Sequence, residues 1–126
     1  MEKIGRPFYY KFNEDELIRQ LKDYIDSTYD EHYAKGKIQT TEFIQSNGDG
    51  IPFTRGNIIK YAQRYGSKDG RNRKDILKVL HYAIIMLHTH DIETQEELLD
   101  YENQCRNNLN FEELRNDQHE LTFSNR

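Results

Sequence analysis

Tryptophan is absent, cysteine occurs once, proline twice, and no apolar stretch is long. Each scarcity removes a class of protein. Cys105 alone cannot close an internal disulfide, and with no secretory signal at the start this composition points to a reducing compartment. The longest uncharged apolar run, Val79 to Thr89, falls far short of the roughly 20 residues that span a bilayer, so no membrane role is expected. No Gly-x-x-x-x-Gly-Lys-[Ser/Thr] phosphate loop is present, and the Gly48-Asp49-Gly50 turn does not replace one. Metal-ligand patterns are equally thin. His81 and His88 are separated by about 10 Å of helical rise, too far for one ion. Glu93-x-x-Glu96 and Glu97-x-x-Asp100 lie back to back on one stretch, so they cannot clamp magnesium between them within a subunit. They read as a solvated acidic face, and no metal site is expected.

What remains is one domain's length, 126 residues, of which 35% are hydrophobic and 32% charged. Mean hydropathy is −1.03. A chain this polar builds a thin core, and small polar domains often gain core by association, so a homo-oligomer is expected.

Helical periodicity dominates the pattern, and the expected class is all-α, a small bundle of four to five helices with a flexible N-terminal arm and C-terminal tail. Asn13, with Glu16 in the capping-box position, starts a first helix to about Asp26 through Leu17, Ile18, Leu21, Tyr24 and Ile25. The polar stretch from Ser27 to Gly36 reads as irregular. A short second helix covers roughly Thr40 to Ser46, followed by the Asn47-Gly48-Asp49-Gly50 turn cluster and the break at Pro52. Thr54 caps a third helix to Tyr65, and a loop runs through Gly66 and Gly70. The fourth helix, Arg73 to His90, shows a broad apolar face that includes Ile76, Leu80, Ile84 and Leu87, which suggests a central place in the core. A fifth begins at Thr94 and ends near Cys105. The organisation is then residues 1–27 as arm and first helix, 28–90 as the main domain, and 91–126 as an acidic helix and tail.

The net charge of −4 hides a marked asymmetry. Residues 1–53 carry −3, residues 54–78 carry +6, and residues 91–126 carry −7. A basic segment inside an acidic protein suggests an anionic partner for one face, or else a solvated basic loop paired with the acidic tail. Asn57, Lys60, Tyr61 and Arg64 share one helical stripe, while Lys68 and Arg73 lie in and after the following loop. Asp75, Lys78 and Tyr82 form a polar edge on the fourth helix. Arginine binds phosphate oxygens through a planar fork and lysine through a mobile point charge; amides and phenols select a sugar or a base. Asp75 can orient a cation or accept a proton, or it can simply pair with Lys74, Lys78 or Arg71 at the helix start. His32-Tyr33 and Glu42 can complete the site from the opposite wall, histidine being able to exchange a proton near neutrality. The acidic flanks argue against broad contact with nucleic acid.

Two runs carry a family resemblance: Phe53-Thr54-Arg55-Gly56-Asn57-Ile58-Ile59-Lys60-Tyr61-Ala62-Gln63-Arg64-Tyr65-Gly66, and Arg71 through Ala83 with its Asp75-x-x-Lys78-x-x-x-Tyr82 element. With His32-Tyr33 and the Ile38–Ile44 stretch around Glu42, they resemble a bacteriophage nucleotide-kinase-like domain family. That family was formerly a domain of unknown function and is related to the deoxynucleoside monophosphate kinase of T7-like phages. The resemblance covers about residues 28 to 90. It implies a viral protein in the cytoplasm of an infected bacterium that binds a nucleotide. The reaction it implies is phosphoryl transfer to a deoxynucleoside monophosphate without a phosphate loop. Lys60, Arg64 and Asp75 would then be catalytic, and His32, Tyr33, Glu42, Asn57, Tyr61, Lys68, Arg73, Lys78 and Tyr82 would bind ligand. Magnesium with a nucleoside triphosphate is the cofactor such a reaction would bring. The alternative is a non-catalytic nucleotide sensor or sponge acting on host metabolism or defence signalling, for which the same cations serve.

Overall fold

The computed structural model describes residues 9–124, with side chains throughout that span except at 32–34 and 118–124. Most of the expected N-terminal arm lies outside the described residues. The all-α class holds: the described residues form α1 (Glu14–Ala34), α2 (Lys37–Ser46), α3 (Gly50–Arg64) and α4 (Arg73–Ser124), with no strand among them. The chain divides into two units, Met1–Thr89 and His90–Arg126.

In the first unit, α1 starts with Glu14, Asp15 and Glu16 in its first turn, where the helix dipole favours acids. Asn13 sits at a positive φ of 58° and accepts the Leu17 amide through its carbonyl. Glu16 does not turn back to form the expected capping box. It bonds forward to Arg19 and Gln20. The helix continues through the polar stretch expected to be irregular, which holds no glycine or proline before Gly36. Ser27 and Thr28 donate their hydroxyls to the carbonyls of Tyr24 and Ile25, and the Lys35 ammonium reaches Glu31 one turn away. Gly36, at φ 72°, ends α1 and begins α2.

Helix α3 starts at Gly50, five residues ahead of the expected Arg55. Pro52 falls in its first turn, where a missing N–H leaves no bond unmade. Thr54 is therefore an interior residue, not a cap. It is fully buried, and its hydroxyl donates to the carbonyls of Gly50 and Ile51. Gly50 is demanded by packing: a Cβ there would meet Thr89 Cγ2 at 2.8 Å and Gln45 Cγ at 3.2 Å. The Gln45 amide donates to the Thr89 hydroxyl at 2.7 Å, so α2, α3 and α4 meet at this point. The loop after α3 turns through Gly66, Asp69 and Gly70, all at positive φ, and Asn72 caps α4 by accepting the Lys74 amide.

The expected fourth and fifth helices are one. Nothing between Arg73 and Ser124 is glycine or proline, so nothing breaks the helix at His90, and helical backbone extends through the residues read as a tail. Within the first unit most of the expected core face of α4 is exposed, although Leu77 is half-buried and Ile84 lines a cavity. Ile76, Leu80, Ile84 and Leu87 are 42–61% exposed, whereas Asp75 and Thr89 are buried and Lys78, Tyr82 and Ile85 half-buried. Leu21 is the one buried hydrophobic side chain among the described residues. The first unit is thus closed around polar and aromatic groups more than around aliphatic ones. The second unit is helical from His90 to Ser124, and all of its described side chains are exposed except that of Glu93.

Candidate functional site

The inward stripes of α3 and α4 carry the chemistry. On α3 these positions are Thr54, Asn57, Tyr61 and Arg64; on α4 they are Asp75, Lys78, Tyr82, Ile85 and Thr89, at alternating three- and four-residue spacing. Tyr61 and Tyr82 stack, with ring planes 12° apart and centroids at 5.9 Å, and Phe53 meets Tyr82 edge-on at 6.0 Å. Three cations surround the Tyr61 ring. The ammonium groups of Lys60 and Lys78 each lie 4.8 Å from its centroid, and the Arg64 guanidinium lies at 6.0 Å. Among the described residues only Arg64 of these three has an ion pair, with Asp75 at 3.7 Å. Asp75 is 2% exposed, and its Oδ2 has no hydrogen-bond partner.

A cavity of about 500 Å³ opens beside this cluster, within the first unit. Tyr61, Lys78 and Tyr82 form one side, with His81 and Ile85. The α1 side supplies Tyr24, Ile25, Thr28 and Tyr29, and α2 supplies Lys37, Ile38, Thr41, Glu42 and Gln45. Tyr24 meets the His81 ring edge-on at 6.2 Å. Burial pushes the Tyr82 phenol above its ordinary value, with Tyr61 adding to the shift. Burial does the same to Tyr24, with smaller contributions from Tyr61, Tyr82 and Glu31. Both phenols are therefore neutral donors at physiological pH. The set combines aromatic faces, hydroxyl and amide groups, one carboxylate and two lysines, which is what a small, flat, anionic ligand requires.

The structure brings together part of the sequence-predicted set. Glu42, Tyr61, Lys78 and Tyr82 line the cavity, and Lys60 and Arg64 flank Tyr61. Asp75 is engaged, but with Arg64 of α3 and not with Lys74, Lys78 or Arg71 as its pairing alternative expects. Asn57 turns to its own helix, donating its amide to the Phe53 carbonyl at 2.9 Å. Arg73 donates to the Gln20 side chain of α1, and Lys68 is exposed on the loop; neither lines the cavity. The side chains of His32 and Tyr33 lie outside the described residues. Sequence reasoning passed over Tyr24, Thr28, Lys37, Thr41 and Gln45, and it weighed His81 as a metal ligand, not as a cavity residue. The signal was present in the spacing of Tyr24 with Thr28, and of Lys37, Thr41 and Gln45. These are one-turn repeats of hydrogen-bonding groups on two successive helices.

Residues 27–84 match the family described as protein of unknown function (DUF3310). The chain is similar to that family over this segment. The DUF3310 match takes in all of α2 and α3, the end of α1 and the first part of α4, and with them most of the cavity wall. Its description assigns no activity. No curated protein and no solved structure matches the chain.

Proposed function

We propose that this protein binds a nucleotide in the cavity between α1, α2, α3 and α4, with a deoxynucleoside monophosphate as the first ligand to consider. The observation that carries this reading is the convergence of three cations on one tyrosine ring beside a cavity, with a single carboxylate partner among them. Like charges so close repel, and a phosphate placed near Lys78 and Lys60 relieves that repulsion while gaining charge-assisted hydrogen bonds of about 1.5–3 kcal/mol each. The tyrosines offer π-faces for a base, and Glu42, Thr28 and Thr41 offer groups for its edge or for the sugar.

Phosphoryl transfer is the reaction implied by the resemblance to phage nucleotide-kinase-like proteins. In that reading Lys60, Arg64 and Lys78 neutralise charge on the transferring group, and the site of action is the cytoplasm of an infected bacterium. A non-catalytic nucleotide sponge is favoured by one specific observation: the cavity has the volume of a site for one small ligand, whereas transfer needs donor and acceptor together. The test is to incubate the protein with each deoxynucleoside monophosphate and a triphosphate donor, with and without magnesium. Products are followed chromatographically while binding is measured by calorimetry. New diphosphate that disappears in Lys60→Ala and Arg64→Ala supports the kinase. Binding without product supports the sponge, and no binding at all defeats both.

A further inference from the structure

A phosphate site must gather positive charge without cancelling it. A carboxylate draws cations together but neutralises them, whereas an aromatic face attracts cations through its quadrupole and leaves their charge intact. Tyr61 meets the second description. The ammonium groups of Lys60 and Lys78 lie 4.8 Å from its ring centroid and the Arg64 guanidinium lies at 6.0 Å. Among the described residues the one carboxylate paired with any of these cations is that of Asp75, and it takes Arg64 alone. The cluster joins two helices: Lys60 and Arg64 flank Tyr61 on α3, while Lys78 reaches the ring from α4.

The ring is itself held in place. Tyr82 stacks against it with planes 12° apart, and Phe53 meets Tyr82 edge-on at 6.0 Å. Tyr61 and Lys78 both line the cavity, which continues along α4 to His88, about 15 Å of helical rise from Lys78. The Tyr61 ring is thus engaged by Tyr82 and three cations before any ligand enters. Tyr29, on the α1 wall of the cavity and 52% exposed, is a ring left open to a base.

We propose, on the reading of the cavity as the site of a phosphate-bearing ligand, that Tyr61 is the positioning residue for the phosphate. Its ring, fixed by Tyr82, holds Lys60, Arg64 and Lys78 in one cluster, and the phosphate binds the cluster. The base then lies away from Tyr61, toward the α1 and α2 walls.

Two substitutions separate the ring from its hydroxyl. Tyr61→Phe keeps the π-face, and Tyr61→Leu removes it. Calorimetry of the full chain with pyrophosphate should show equal affinity in the unaltered chain and Tyr61→Phe, and a loss of about tenfold in Tyr61→Leu. A deoxynucleoside monophosphate should lose the same factor. Binding of pyrophosphate but of no nucleotide would defeat the nucleotide reading and leave the role of Tyr61 standing. A proton spectrum separates this role from plain packing and needs no variant that folds poorly. In the unaltered chain the ε-methylene protons of Lys60 and Lys78 should lie upfield of those of the other lysines, through the ring current of Tyr61, and should move when pyrophosphate is added. Tyr61→Phe should keep the upfield position and Tyr61→Leu should lose it. Ordinary ε-methylene positions in the unaltered chain, no pyrophosphate binding to it, undiminished affinity in Tyr61→Leu, or an equal loss in Tyr61→Phe would each overturn the proposal.

Discussion

Lys78 and Tyr82 stand one turn apart on α4, and both meet Tyr61 of α3. Around this trio the balance of charge is set by a single carboxylate. Asp75 is buried with Arg64 as its ion-pair partner, and burial of a carboxylate with an unpartnered oxygen is costly unless the pairing offsets it. Removing one partner of such a pair leaves the other uncompensated. Asp75→Ala should therefore lower unfolding stability by about 1–3 kcal/mol in urea titrations, although the side chain makes no direct hydrogen bond to a neighbour through Oδ2. The tyrosines define a pH window. Tyr24 and Tyr82 have pKa values raised above the ordinary 10.0, chiefly by burial. The unfolded chain thus loses these protons first, so their contribution is complete below about pH 10 and is lost as pH rises through the folded-state values. Thermal midpoints should fall above pH 10, and Tyr82→Phe should flatten that fall.

At the scale of elements, the crossing of α2, α3 and α4 rests on the missing side chain of Gly50. Gly50→Ala forces a methyl against Thr89 Cγ2, and overpacking of this kind costs about 1–3 kcal/mol. Thr89→Ser removes that methyl and keeps the hydroxyl that accepts from Gln45, so the double variant should recover part of the loss. Chemical denaturation of the four-member cycle measures the coupling. The same elements show what the sequence made legible. Helix existence followed from periodicity, and the loop from Gly66 to Asn72 followed from its turn residues. Helix ends did not follow: Pro52 reads as a break but fits a first turn, and the polar Ser27–Ala34 stretch remains helical, with no glycine or proline to stop it before Gly36. The orientation of α4 did not follow either. Ile76, Leu80, Ile84 and Leu87 read as core by hydropathy, yet the stripe that turns inward is that of Asp75, Lys78 and Tyr82, because Arg64 and the Tyr61 ring meet it there. Periodicity identifies a stripe, but not which stripe is covered within one chain.

For the molecule as a whole, the uneven charge falls into two parts. The +6 segment contributes Lys60, Arg64 and Lys78 to the cluster around Tyr61, which the proposed anionic ligand would neutralise. The −7 segment belongs to a unit whose described side chains are nearly all exposed. The first part is the central claim, and titration of the full-length protein with a deoxynucleoside monophosphate, compared with Lys78→Ala in the same calorimeter, tests it most directly. Lys78 is half-buried between the cavity and Tyr61, so its loss should weaken binding by roughly 10- to 150-fold, the equivalent of about 1.5–3 kcal/mol, without loss of helical content. Equal affinity in the two proteins, or no binding of any nucleotide to the unaltered chain, would contradict it.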